Sequence, residues 1–62
     1  MHFEIVWPEH RWVNESKIRV WFSDAVDNGD LSEEYAQDIS EPEEMARELS
    51  SLGYITLGRG RR

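Results

Sequence analysis

Residues 40–57 read Ser-Glu-Pro-Glu-Glu-Met-Ala-Arg-Glu-Leu-Ser-Ser-Leu-Gly-Tyr-Ile-Thr-Leu. Ser40 and Glu43 have the S-x-x-E spacing of a capping box, in which each side chain satisfies a backbone N–H at the start of a helix. Pro42 falls in the first turn, where the N–H that proline lacks has no helical partner to lose. An apolar stripe follows at helical spacing and consists of Met45, Ala46, Leu49 and Leu52. The pattern predicts a helix over residues 40–52.

The end of this helix is marked as well. Gly53 supplies the left-handed residue that closes a Schellman motif, and this closure places Tyr54 against Leu49. Residues 54–57 then alternate, with Ile55 and Leu57 on one side, as in a half-buried strand. The stretch therefore predicts a helix, a glycine stop and a strand in direct succession.

Two earlier runs alternate with the period of a strand. In residues 2–7 the odd-numbered side chains point to one side, and Pro8 ends the run because it cannot donate to a ladder. Residues 17–22 place the even-numbered side chains inward, from Ile18 to Phe22. The simplest connection of the two runs is an antiparallel hairpin with a polar loop.

Residues 31–39 fit two structures. As a helix, the segment has Asp30 as its cap and places Leu31, Tyr35 and Ile39 on one face. As a strand, it also places Tyr35 and Ile39 on one face, and it leads straight into the next helix. We predict a strand here and leave the helix as the alternative.

These elements predict an α+β protein with a small, mostly antiparallel sheet of three or four strands and one helix packed on one face. Residues 1–58 form the single domain, and residues 59–62 form a basic, flexible tail. The predicted core consists of Phe3, Ile5, Ile18, Val20, Phe22, Met45, Leu49, Leu52, Ile55 and Leu57.

Length and composition restrict the class of protein. A chain of 62 residues makes one domain, and such a domain buries only about 60% of its unfolded surface. It contains no cysteine, which excludes disulfides and thiolate metal ligands and suits a reducing cytosol. No basic leader and no apolar segment of about 20 residues is present, so we expect neither a signal peptide nor a membrane span. The expected location is the cytoplasm.

Charge is unevenly distributed along the chain. Residues 24–48 contain ten acids and one base, Arg47, and so carry −9, although the whole chain carries −6. Residues 58–62 carry +3, and the rest of the chain is neutral overall. A compact acidic segment of this kind favours a partner with a basic surface.

Catalytic and metal-binding patterns are absent from the sequence. The two histidines lie outside any metal-ligand spacing, and no serine occupies a G-x-S-x-G setting. Asp24, Asn28 and Gly29 match three positions of a calcium loop, but Tyr35 stands where that loop needs a bidentate glutamate. We therefore predict no enzymatic activity, no cofactor and no bound metal.

A basic and aromatic face would suit nucleic acid. Lys17, Arg19 and Trp21 share the outer side of the predicted strand, where cations hold phosphates and an indole stacks on a base. The tail adds three arginines for phosphate contacts, namely Arg59, Arg61 and Arg62. Two observations oppose this function: the acidic segment repels a polyanion, and Arg19 has an alternative partner across the strands in Glu4.

The acidic segment offers a different function. The glutamates at the start of the predicted helix are explained by capping and by the helix dipole. Acids in the preceding turns are not, and five of them form the predicted partner-binding set: Asp27, Asp30, Glu33, Glu34 and Asp38. Carboxylates in successive turns can match the spacing of phosphates and so dock into a basic groove. Trp12, predicted to lie in a loop, is the expected aromatic anchor.

In its compact order of strands and one helix, its acidity and its short length, the chain resembles the small inhibitor proteins that bacteriophages make against host machinery, in particular anti-CRISPR proteins. The resemblance covers the whole chain but no motif, so it carries over no functional residue. It implies a non-enzymatic blocker in the cytoplasm of a bacterial host, bound to a protein or ribonucleoprotein complex where nucleic acid would otherwise sit. A homodimer formed through an exposed hydrophobic edge is a further expectation.

Overall fold

The computed structural model describes the backbone of residues 2–61 and the side chains of residues 2–59. Its elements follow one another as β1 (His2–Trp7), β2 (Arg11–Asn14), α1 (Glu15–Asp27), α2 (Glu33–Gln37), α3 (Pro42–Ser51) and β3 (Thr56–Arg61). The protein is therefore an α+β protein with a three-stranded antiparallel sheet, as predicted. The described residues form three helices, where the sequence predicted one.

β1 is the central strand of the sheet, whose order is β2-β1-β3. Phe3 lies opposite Val13 of β2, and both are buried with Ile5 on one face, because alternate side chains of a strand point to opposite faces. The alternation predicted for residues 2–7 is confirmed except at Trp7, which is 54% exposed.

The prediction of a strand over residues 17–22 is wrong, because these residues belong to α1. The side-chain oxygen of Asn14 caps this helix by accepting a hydrogen bond from the backbone N–H of Lys17 at 3.0 Å. The buried stripe of α1 consists of Ile18, Phe22 and Ala25. Val20, which the alternation placed in the core, is 53% exposed. The hairpin partner of β1 is β2 instead.

The strand predicted for residues 31–39 is also wrong, since α2 occupies the middle of this segment. Ser32 is the N-cap, and its hydroxyl accepts a hydrogen bond from the backbone N–H of Tyr35 at 3.2 Å. Ile39 lies just beyond this short helix and is buried in the core. Local capping by Ser32 therefore prevails over the short alternation from Tyr35 to Ile39.

α3 begins differently from the prediction. Its N-cap is Glu41, which makes no side-chain capping bond, so the predicted capping box of Ser40 and Glu43 does not start this helix. Pro42 does occupy the first turn, as its missing N–H allows.

The other end of α3 is as predicted. Gly53 has a φ of 86°, in the left-handed region that favours glycine. The backbone N–H of Tyr54 donates to the carbonyl of Leu49 at 3.0 Å, and that of Gly53 donates to the carbonyl of Ser50 at 3.1 Å. These two bonds form the Schellman closure.

The core lies between the inner face of the sheet and helices α1 and α3. The predicted core residues found buried are Phe3, Ile5, Ile18, Phe22, Met45, Leu49 and Ile55. The buried residues that the prediction missed are Val13, Ala25, Ile39 and Ala46. Val20 is exposed because it lies on the outer side of α1, and Leu52 is exposed just beyond the last residue of α3. Leu57 is half-buried.

β3 continues to Arg61, whereas residues 59–62 were predicted to form a flexible tail. Phe3 lies opposite Arg61 and Ile5 opposite Leu57, so β3 uses four residues where β1 uses two, an irregularity typical of a β-bulge. Pairing with β1 gives backbone groups of this glycine-rich segment their hydrogen-bond partners. The composition of the segment did not reveal this pairing.

Candidate interaction surfaces

The acidic segment, residues 24–48, runs from the last turn of α1 through α2 into α3. Its exposed acidic residues are Asp24, Asp27, Asp30, Glu33, Glu34, Asp38, Glu41 and Glu44. Glu43 and Glu48 are half-buried. None of these three helices has a basic residue in its last turn. Their carboxyl ends, where the helix dipole is negative, therefore add to the negative charge of the segment.

Tyr54 holds the turn that follows α1. Its hydroxyl donates a hydrogen bond to Oδ2 of Asp30 and accepts one from Nδ2 of Asn28 at 3.2 Å. The bond from Asn28 lowers the pKa of Tyr54, but the bond to Asp30, desolvation and the charges of Asp30 and Asp24 raise this pKa above its ordinary value. These bonds attach the turn to the connection between α3 and β3.

Tyr35 makes a comparable contact between α2 and α3. Its hydroxyl donates a hydrogen bond to Oε1 of Glu48. That bond, desolvation and the charges of Glu48 and Glu44 raise the pKa of Tyr35 above its ordinary value. A groove beside this contact is bordered by Asp38, Glu44, Glu48 and Arg47. Both phenols therefore act as neutral donors that fix nearby carboxylates.

The predicted partner-binding acids are all exposed, but the structure gives them different surroundings. Asp27 is the last residue of α1, and Asp30 is held by the phenol described above. Glu33 and Glu34 lie in the first turn of α2, where the helix dipole favours carboxylates. Asp38 ends the same helix and borders the groove between α2 and α3. Their role in binding stays a prediction.

The predicted anchor, Trp12, does not lie in a loop. It is half-buried in β2, opposite Glu4 of β1. The exposed tryptophan is Trp7, and its neighbour Val6 is 42% exposed. The signal that could have identified Trp7 is Pro8, because a strand that stops at a proline places its last side chain at the edge of the core.

The structure divides the predicted basic and aromatic face. Lys17 and Trp21 lie one turn apart on α1, and Arg11 of β2 joins them. Nζ of Lys17 and Cζ of Arg11 each lie 5.8 Å from the centre of the Trp21 ring. Arg19 borders a different groove, together with Glu33, because residues two apart on a helix point in nearly opposite directions.

Of the arginines near the end of the chain, the structure describes the side chain of Arg59. Arg59 lies in β3, at the edge of the sheet opposite β2. The side chains of Arg61 and Arg62 lie outside the described residues. The phosphate contacts predicted for these arginines stay a prediction.

The predicted ion pair between Arg19 and Glu4 is also wrong, because Arg19 lies on a helix and not on the strand beside Glu4. Oε2 of Glu4 lies 2.7 Å from Nε2 of His10, on the connection between β1 and β2. In the same hairpin, Nη1 of Arg11 lies 3.2 Å from Oε1 of Glu9.

Within the part of the chain that the structure describes, no group of three histidine, aspartate or glutamate side chains is arranged to hold a metal ion. None of the described helices combines the length and the apolar character needed to cross a bilayer. Comparison with models of protein families, with curated proteins and with solved structures finds no match to this chain.

Proposed function

We propose that the protein is a non-enzymatic inhibitor of the anti-CRISPR type, which binds a basic surface of a protein or ribonucleoprotein complex and blocks the handling of nucleic acid there. The observation that carries the proposal is the exposure of eight acidic residues within residues 24–48, where Arg47 is the single base. The activity consists of binding alone and takes place in the cytoplasm of a bacterial host.

The way in which the carboxylates are held supports this function. Seven of the ten carboxylates of residues 24–48 lie on helices, and phenols fix two of the ten, those of Asp30 and Glu48. Charges fixed before binding lose less conformational entropy when the complex forms. Their long-range attraction to a basic groove speeds the encounter, and this attraction weakens as salt screens it.

A pair of charge-reversal variants tests the proposal. The first variant, Glu33→Lys with Glu34→Lys, reverses two exposed acids inside the acidic segment. The control, Glu9→Lys with Glu15→Lys, changes the net charge equally but outside that segment. Each tagged protein is used to capture partners from a bacterial lysate at low and at moderate salt.

We expect the parent and the control to retain a nucleic-acid enzyme or ribonucleoprotein complex at low salt and to release it at moderate salt. The first variant should retain at least about tenfold less of this complex, because a lysine facing a basic surface is repelled. Equal retention by the first variant and the parent would exclude binding through the acidic segment.

A second candidate function is the binding of single-stranded nucleic acid. It is favoured by the two cations of Arg11 and Lys17 that flank the Trp21 ring at 5.8 Å. A gel shift with single-stranded RNA and DNA at low salt separates this function from the first one. A shift that Trp21→Ala abolishes supports it, whereas a parent protein that shifts neither strand excludes it.

A further inference from the structure

The end of β1 exposes one apolar side chain on each face of the sheet. Trp7, 54% exposed, is on the face of Phe3 and Ile5, and Val6, 42% exposed, is on the opposite face. The core stops just before them, since Phe3 and Ile5 on the inner face of the same strand are buried. Tryptophan is highly buried on average in folded proteins. An indole left at the surface is also the side chain that most often anchors a protein interface.

Two helix ends converge on this end of the molecule. Trp7 lies opposite Thr56, the first residue of β3, and the chain reaches Thr56 directly from α3 through Gly53. Tyr54 precedes Thr56 by two residues and binds Asp30, just beyond α1. The carboxyl ends of α1 and α3 therefore both lie at the end of the sheet where Trp7 is exposed.

The electrostatics of this region favour a cation. The carboxyl end of a helix carries about half a negative charge, and neither α1 nor α3 has a basic residue in its last turn to offset it. Asp27 and Asp30 are exposed there and add two carboxylates. A cation of the adjoining hairpin, Arg11, is already paired with Glu9 at 3.2 Å.

We propose that the Trp7 end, defined by Trp7, Asp27 and Asp30, is the place where an arginine- or lysine-rich segment of a partner protein docks, with one cationic side chain against the Trp7 indole. The face of an indole attracts a cation, and the exposed carboxylates at the same end of the molecule add a longer-range attraction. Arginine suits the site best, because its planar, weakly hydrated guanidinium stacks on aromatic rings. The proposal rests on the function proposed above and names the contact through which the basic partner is held.

The first test uses the parent protein and a hexa-arginine peptide as the probe. Spectra of the ¹⁵N-labelled protein contain one indole N–H signal for each of its three tryptophans, and Trp7→Phe assigns the signal of Trp7. We expect the Trp7 signal to shift most as the peptide is added. A response at Trp12 or Trp21 without one at Trp7 would overturn the proposal.

The second test measures the affinity of the same peptide for three variants. Trp7→Ala should weaken binding about fivefold, the change that corresponds to an exposed cation–π contact. Val20→Ala is the matched control, because it removes a side chain that is 53% exposed on α1, and it should leave the affinity unchanged. Circular dichroism verifies that each variant is folded.

The third variant, Glu33→Lys with Glu34→Lys, separates the two proposals. If this charge reversal weakens binding of the peptide while Trp7→Ala does not, binding through the acidic segment is supported and the Trp7 contact is excluded. If Trp7→Ala weakens binding and the charge reversal does not, the contact stands without the acidic surface. If sedimentation shows that the parent is a dimer and that Trp7→Ala dissociates it, a second copy covers the indole and the proposal is overturned.

Discussion

Glu4 lies on the outer face of the sheet, between two neighbours that restrict its position. Its Oε2 lies 2.7 Å from Nε2 of His10. On the other side, a Cβ added to Gly58 would overlap the side chain of Glu4 at Oε1. The side chain of Glu4 therefore occupies the space that a side chain at position 58 would take, and it would have to move to admit one.

We expect Gly58→Ala to lower the free energy of unfolding by at most about 1 kcal/mol, because the Glu4 side chain must rotate and give up its partly exposed contact with His10. Urea unfolding measures the change. The control is the same substitution in a Glu4→Ala background, where the added methyl group has room and its cost should largely disappear. An equal cost in both backgrounds would show that the close approach to Glu4 is not the cause.

Helices α1 and α3 differ in whether a side chain caps the first turn. Asn14 caps α1 through a side-chain hydrogen bond at 3.0 Å, whereas Glu41 makes none at the start of α3. Asn14→Ala should therefore lower the free energy of unfolding by about 1 kcal/mol. Glu41→Ala, the matched control, should change it little. Equal effects in urea unfolding would contradict the assigned role of the Asn14 side chain.

The wrongly predicted elements share one spacing. Ile18 and Phe22 are four residues apart, and this spacing places both inward on a strand and on a helix alike. Val20, between them, distinguishes the two structures only through its burial, which tertiary packing decides. The same ambiguity affects Tyr35 and Ile39. The apolar pattern of these short runs therefore does not distinguish a strand from a helix. The capping residues Asn14 and Ser32 favour the helix.

The correctly predicted features depend on backbone chemistry that acts locally. Pro8 ends β1 wherever the strand packs, and Gly53 adopts a left-handed conformation at the end of α3 whatever surrounds it. The surfaces were less predictable, because exposure depends on the whole fold. Trp7 is on the same face as the buried residues Phe3 and Ile5 of β1, yet it is exposed at the strand's end. Trp12 lies in a strand and not in a loop.

For the whole molecule, repulsion among the acids is the main electrostatic term. The chain carries −6, and its acidic segment carries −9 within a molecule of 30 × 20 × 15 Å. In the described hairpin, the ion pair of Glu9 with Arg11 and the hydrogen-bonded contact of Glu4 with His10 are exposed enough to contribute at most about 1 kcal/mol each. Added salt should therefore weaken the repulsion among the acids more than it weakens the attraction within these pairs.

We expect the melting temperature to rise as sodium chloride increases from about 0.01 M to about 1 M, because the Debye length then falls from about 30 Å to about 3 Å. At the lower concentration charges interact across the whole molecule, and at the higher one only immediate neighbours do. Glu33→Lys with Glu34→Lys should show a smaller rise, since it removes repulsion, and Glu9→Lys with Glu15→Lys should retain more of it. A parent melting temperature that falls with salt would mean that ion pairs outweigh repulsion, and it would also weaken the case for an acidic surface that is kept for a partner at the cost of stability.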